Sequence, residues 1–473
     1  MAAPAMASPC AAAPPSVLQK LARVVHDVHY DNLPPAVIKA AKDLILDTLG
    51  CAYGGFASPV AIALRKMAAD CGGAEQATLI GTGGKTSAPL AALVNGSLLR
   101  YLDSNDYYFG RDPAHPSGNV AVALAVGERE GRSGKDLIAA LVAAYEVHLR
   151  LCDFAGAPSL WRRGWHHGTN AQFSTSALAG RLSWDEPALT AHAMAIAGSH
   201  QNTLAQLQSG AVSMIKATAE AWVGKAGIEA AMLAGHGITG PLDLMEGVHG
   251  WAKSVAGEVD FDALAAAAPK HRYRILDASV KPYPAVATAL APIAAAIRVC
   301  HANTIVADDI QDIVVYLPGF ALNSPSAHPG RRYPASIESA QHSFYYCAAV
   351  ALLDGACGDA QFTEARLADE TLRAVLAKVE LREDPALNEL WPQAAGGAVE
   401  VRMADGALYG HRCPYPPGHP RFPLSAAELD GKFYDYATPV LSEPGARALH
   451  DAIYRLEDFE DLRDLTRLLA PAA

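Results

Sequence analysis

The chain has 473 residues, 51% hydrophobic and 18% charged, with a formal net charge of −11. That length exceeds what one ordinary hydrophobic core holds, so two packed units are expected. No Lys/Arg-rich run offers a nucleic-acid footprint and no apolar stretch reads as a membrane span, while an acidic protein can still carry a locally positive pocket.

Residues 1–15 are small and Pro-rich and read as a disordered tail. They lack the positive start and leucine-rich stretch of a secretory signal. Ser16 with Gln19 three residues on forms a capping box, and Leu18, Leu21, Val25 and Val28 follow at helical spacing. Pro34-Pro35 opens a second helix with Val37, Ala41, Leu44, Ile45 and Leu49 on one stripe. Helices joined by Gly/Pro turns continue to about residue 270, including 134–150, 187–197 and 214–234.

The texture changes after Lys270. Residues 310–317 and 397–403 read as strands, the second followed by the turn Ala404-Asp405-Gly406. Helical segments are expected at 285–301, 341–354 and 369–378, then at 426–437 and 445–469 after Pro423. The fold class expected is mainly α with an α+β lid. A large all-helical domain is built from both chain ends (16–274 and 417–473), and a smaller α+β domain (275–416) is inserted between them. Ligand sites favour such domain interfaces.

The eight cysteines (Cys10, Cys51, Cys71, Cys152, Cys300, Cys347, Cys357 and Cys413) are scattered, with no C-x-x-C pair and no zinc spacing. They read as buried, reduced thiols of a cytoplasmic protein. There is no P-loop, no G-x-G-x-x-G after a strand and no G-x-S-x-G elbow.

Four clusters hold side chains suited to chemistry. The first runs from Asn95 to Asp106, then through Tyr107 to His115-Pro116-Ser117. Asp103 and Asp106, three apart, are expected on one helical face, with a carboxylate near His115 to fix its tautomer. Helix capping and a surface histidine would explain the same residues. The second is Arg162-Arg163-Gly164-Trp165-His166-His167. Adjacent histidines diverge on any regular element, so the two are not expected to serve one site, and no third zinc ligand stands at workable spacing. The third runs from Gln206 through Gln208 to Thr218, with Lys216 at the start of an apolar helix, either snorkelling or held as a cation for a carboxylate. The fourth, Lys281-Pro282-Tyr283-Pro284, lies where the texture changes and puts Lys281 at the mouth between the domains, where a solvated lysine would also be unremarked.

In this order the clusters resemble the MmgE/PrpD family over nearly the whole chain, from about Leu18 to Leu468. The resemblance includes Asp47-Thr48-Leu49-Gly50, Gly164-Trp165-His166, Ser213-Met214-Ile215-Lys216, Gln341-His342-Ser343 and Gly418-His419-Pro420. It implies a homodimeric, metal-independent enzyme without a cofactor. Members include 2-methylcitrate dehydratase, cis-aconitate decarboxylase and iminodisuccinate epimerase, which make or break a bond beside a carboxylate in a small polyacid. By position it implies catalytic roles for Asp103, His115, His166 and Lys216. Substrate contacts are expected from Lys281, Tyr107, His342 and Gln208. Two departures bear on the reaction. The decarboxylase pattern has a histidine five residues beyond the Lys281 position, where this chain has Val286. It also has a tyrosine shortly before Asn-x-Pro, where this chain has Ala321 and Leu322 before Asn323-Ser324-Pro325. Both changes argue against a cis-aconitate-type decarboxylase. The expected activity is a hydro-lyase acting on a 2-methylcitrate-like polycarboxylate; the first alternative is an epimerase or isomerase of a related dicarboxylate such as iminodisuccinate, and behind it stand a decarboxylase and a catalytically silent member of the family. Tyr107 replaces a small residue and should reshape the pocket.

Overall fold

The computed structural model describes residues 14–156, 159–209, 212–267 and 272–471, so all but the last two residues of the expected tail lie outside it. Helix α1 (Val17–His26) starts at the expected capping box: Ser16 Oγ accepts the Gln19 N–H at 3.3 Å, and Gln19 Oε1 accepts the Ser16 N–H at 2.9 Å. Helices α2 (Pro35–Gly54) and α3 (Pro59–Cys71) each begin with proline, whose missing N–H costs nothing in a first turn. Six more follow: α4 (Ala88–Tyr101), α5 (Gly118–Glu130), α6 (Gly134–Phe154), α7 (Gly168–Ser183), α8 (Pro187–Gly198) and α9 (Ala219–Gly235).

Helices α4, α5, α7 and α9 pack on one another. Small residues let their axes approach. A Cβ on Gly96 would lie 2.9 Å from the Ala221 methyl, and one on Gly227 would lie 2.6 Å from Thr175 Oγ1. The Ala/Gly-rich composition is therefore a packing feature here. Where the C-terminus of α4 meets the N-termini of α5, α7 and α9, three positive helix ends converge on one place.

A second hydrophobic core forms from residues 285–413. It holds helices α10 (Leu290–Ala302) and α11 (Phe344–Asp354) against a four-stranded sheet ordered β2-β1-β3-β4. Strands β1 (Ile310–Leu317) and β3 (Gly397–Met403) match the sequence reading; they pair antiparallel with each other, and β3 pairs antiparallel with β4 (Leu408–Cys413) on its other side. Strand β2 (Val379–Glu383) was not anticipated. It pairs parallel to β1 at the sheet edge, and its sequence VELRE has too little apolar character to stand out. Helix α12 (Ala426–Tyr454) returns to the first core and packs on α2. It runs on past residue 437, and Ser442 (φ 66°) breaks it between Pro439 and Pro444. The helix expected for 445–469 holds as far as Tyr454, the end of α12, and beyond it breaks into 3₁₀ turns and one short α-helix at Leu462–Thr466.

Two further expectations fail locally. Residues 214–234 do not form one helix: Met214–Thr218 is a 3₁₀ turn before α9. That tighter turn buries Lys216 while Met214 and Ile215 stay exposed. The helix expected from residue 285 starts at Leu290, because the Val286 N–H is taken by the Gln341 carbonyl and Ala287–Ala289 is again 3₁₀. The seven described cysteines are free, five of them buried. Among the described residues no single helix is long and apolar enough to cross a membrane.

Candidate active site

The site is built where α4 ends. Tyr101 is its last residue, and Asp103 adopts the left-handed conformation at φ 54°. Such a backbone costs a non-glycine residue on the order of 1–3 kcal/mol and survives where surrounding contacts impose it. Those contacts are ionic. Asp103 Oδ1 pairs with Arg100 and, at 2.9 Å, with Lys281 Nζ. Oδ2 lies 3.3 Å from Lys216 Nζ and 3.3 Å from His342 Nε2. Lys281 Nζ also donates to the Asp103 carbonyl at 2.9 Å and to the Ala285 carbonyl at 3.1 Å. Burial alone would raise the Asp103 pKa, yet Lys216, Lys281 and Arg100 hold it well below the usual carboxylate range.

Asp103 and Asp106 therefore do not share a helical face. Asp106 lies in the following loop, where its carboxylate accepts the Ser117 N–H at 3.0 Å and the Tyr145 hydroxyl at 2.7 Å. The expectation that a carboxylate orients His115 is also corrected. His115 Nδ1 donates to the Asp106 backbone carbonyl at 2.7 Å. A carbonyl can only accept, so the neutral ring has its lone pair on Nε2. Burial, followed by Arg100, Lys281 and His167, keeps the His115 pKa well below the ordinary histidine value. His115 is thus a neutral imidazole with a fixed tautomer.

His166 has the opposite tautomer. Its Nδ1 accepts the Gly168 N–H at 3.0 Å, which puts the ring proton on Nε2. That Nε2 is buried and has no hydrogen-bond partner among the described residues. The expectation that His166 and His167 diverge fails, because they occupy the turn before α7 and not a regular element. Their ring centres are 3.7 Å apart, and the His167 ring also meets His115 edge-on at 5.1 Å. His167 Nε2 lies 2.8 Å from Glu220 Oε1 in the first turn of α9, and Glu220 Oε2 is 3.0 Å from Arg100 Nε. Glu220 and Arg100 are given no role by the sequence, and His167 enters there only as the neighbour expected to diverge from His166. The available signal was an acid and a base buried near the ends of otherwise apolar helices.

The two lysines are buried as well. Lys216 is pushed down to about 7 by burial, with Asp103 opposing and Arg100 and Lys281 reinforcing. Burial lowers Lys281 too, against the pull of Asp103. His342 donates Nδ1–H to the Glu338 carbonyl at 2.9 Å, and Gln341 Nε2 reaches the Leu102 carbonyl at 3.2 Å. Gln341 and His342 thereby pack directly against the Asp103 loop. Neither Tyr107 nor Gln208 joins the ion pairs of this cluster, though Arg331 donates to the His342 carbonyl at 3.1 Å as well as to that of Gln208. Tyr107 packs in a small apolar group with Ala287 and Leu290, and Gln208 meets Arg331 through its backbone carbonyl at 3.5 Å.

A third ligand for a metal does exist near the paired histidines. Donor atoms of His166, His167 and Glu220 lie within 4.8 Å of one another. Glu220 is already bonded to Arg100 and His167, and Arg100 and Lys216 lie close enough to depress the His166 pKa. A divalent cation would enter a positive field and would have to displace the Glu220–His167 bond, so the arrangement suits proton handling better.

The MmgE/PrpD N-terminal domain matches residues 19–264, and the MmgE/PrpD C-terminal domain matches residues 283–458. The chain belongs to the MmgE/PrpD family. Cis-aconitate decarboxylase from Homo sapiens is 28% identical, covering 96% of this chain and 94% of its own length. The decarboxylase from Aspergillus terreus (strain NIH 2624 / FGSC A1156) is 24% identical, covering 93% of each. The mitochondrial 2-methylcitrate dehydratase of Yarrowia lipolytica is 27% identical over 28% of this chain and 27% of its own. Within this MmgE/PrpD chain, Val286 packs on the lid core and offers no proton.

Proposed function

We propose that this chain is a lyase that removes the proton beside a carboxylate of a 2-methylcitrate-like polycarboxylic acid and expels its hydroxyl as water. The observation that carries this reading is the His115 tautomer: a neutral imidazole, its Nδ1–H tied to a backbone carbonyl, leaves Nε2 free as a base. The carbanion beside a carboxylate is an aci-carboxylate dianion and needs fixed positive charge. Arg100, Lys216 and Lys281, set against Asp103 and Glu220, leave an excess of one positive charge (three minus two), and three helix N-termini add to it. In this reading Lys216 and Lys281 hold substrate carboxylates, and His166 Nε2–H stabilises developing negative charge on oxygen.

A decarboxylase is the second reading, supported by the full-length likeness to cis-aconitate decarboxylases. Val286 weighs against it, since a non-protic side chain stands where that pattern has a histidine. A panel of 2-methylcitrate, citrate, cis-aconitate and iminodisuccinate separates the readings. Absorbance of a new conjugated double bond from 2-methylcitrate is expected. Carbon dioxide released from cis-aconitate would overturn the dehydratase in favour of the decarboxylase, and proton exchange without water loss would favour an epimerase.

Two further results are expected. Lys216 loses its charge as pH rises through about 7, so kcat/KM should fall above that pH, and Lys216→Arg should remove the fall. Dialysis against a chelator should leave turnover unchanged. A loss restored by Zn2+ would instead assign the His166–His167–Glu220 group to a metal.

A further inference from the structure

We infer that His167 is the acid of this site, delivering a proton from Nδ1 to the departing hydroxyl, with Glu220 and Arg100 holding it in place. The inference rests on the dehydratase reading above. An elimination needs two proton carriers: one takes a proton from carbon and one gives a proton to oxygen. His115 has the geometry of the first. Of the other buried histidines, His148 of α6 is pushed down to about 4 by burial and carries no imidazolium proton to give, which leaves His166, His342 and His167 as candidates for the second.

His166 cannot easily be that second carrier. Its Nδ1 is spent on the Gly168 N–H, so it can act as a neutral donor, but a second proton would break that bond. His342 is bound through Nδ1 to the Glu338 carbonyl and faces the Asp103 carboxylate, with Lys216 beside the same oxygen. His167 differs from both. Its Nε2 is joined to a carboxylate, that carboxylate is fixed by an arginine, and no described hydrogen bond engages Nδ1. A carboxylate on one ring nitrogen stabilises the imidazolium and leaves the other nitrogen free to give up its proton. The His166 ring lies against the His167 ring at 3.7 Å between centres and helps fix its orientation. The groups facing His167 are His115 ahead of α5, His148 of α6, His166 in its own turn and Glu220 of α9, with Arg100 of α4 behind Glu220.

The step balances. His115 Nε2 takes the proton from the carbon beside the carboxylate, and the C–H electron pair becomes the new C=C bond. The C–O bond breaks with its pair on oxygen, which takes the His167 Nδ1 proton and leaves as water. His115 ends protonated and His167 neutral. The proton then returns between rings whose centres are 5.1 Å apart, directly or through the product water, and the enzyme is ready again.

The test separates the two half-reactions with the full-length protein, after wild type has been shown to dehydrate 2-methylcitrate. His167→Gln should slow water loss by about 100- to 1,000-fold while exchange of the substrate C–H with heavy water persists within about threefold. An analogue with fluoride in place of the hydroxyl leaves without full protonation, so it should recover most of the lost rate in His167→Gln. Glu220→Gln should show the same split more weakly and serves if His167→Gln does not fold. Equal loss of exchange and elimination would mean a structural role, and near wild-type elimination would mean no role; either overturns the inference alone. If wild type neither exchanges nor eliminates on any polyacid of the panel, the dehydratase reading falls and takes this inference with it.

Discussion

His115→Gln is expected to slow proton removal by roughly two to four decades, the usual worth of a positioned general base. The argument is geometric. Glutamine retains a polar group of similar reach and can still donate to the Asp106 carbonyl, but it presents no basic nitrogen. The loop should therefore stay in place while the chemistry stops. Because the base acts on the first bond to break, exchange with heavy water and double-bond formation should fall together, unlike the split expected for His167→Gln. Thermal unfolding should change little, since His115 makes one described hydrogen bond. If His115→Gln turns over the true substrate at near wild-type rate, the base has been misassigned.

Lys432→Met should destabilise the protein by about 3–5 kcal/mol, the range for removing one partner of a buried ion pair. Lys432 projects from α12 and donates to Asp47 Oδ1 at 2.6 Å, to the Ser104 carbonyl at 2.6 Å and to the Lys281 carbonyl at 2.8 Å. Asp47 is fully buried and its Oδ2 has no described partner. Burial already raises the Asp47 pKa, against the pull of Lys432 and Lys281. Without Lys432 it rises further, so the folded state binds a proton that the unfolded chain releases. A raised folded pKa gives stability at low pH that is lost as pH rises, so urea unfolding should show a larger deficit at about pH 8 than at about pH 5. Adding Asp47→Leu should recover part of the loss, as expected for coupled neighbours. A deficit independent of pH would show that the lysine acts through packing alone. Activity should fall as well, because the two carbonyls Lys432 holds belong to Lys281 and to the residue after Asp103.

Local physics made the scaffold legible and left the site only partly so. The Ser16–Gln19 box and strands β1 and β3 were readable because their signals span a few residues: a cap, or an apolar run closed by turn residues. Strand β2 was not, since an edge strand with one buried end carries a weak pattern. In the site, Asp103, His115, His166, Lys216, Lys281 and His342 were named from the order of motifs, and the structure brings Lys216 and Lys281 into ion pairs with Asp103, with His342 Nε2 3.3 Å from the same carboxylate. The roles of neighbouring groups were harder. No sequence pattern announces that Asp103 will turn left-handed and leave Asp106 behind. The rule that adjacent histidines diverge assumed a regular element where the chain makes a turn. Glu220 and Arg100 meet across 120 residues, a pairing that only the approach of α4 to α9 creates. Tyr107 and Gln208 were assigned by position alone and lie outside the charged group.

The bond from Lys432 to Asp47 joins residues 385 positions apart. On a ribosome, every histidine of the centre emerges before that lysine does. Until α12 docks, the Lys281 carbonyl and the Ser104 carbonyl have lost a shared donor, and Asp47 has no counter-ion. The Asp47 ion pair and the shared donor to the two carbonyls therefore form only once α12 has docked. Contacts this distant in sequence also close slowly, so recovery of activity on refolding should trail recovery of helix content.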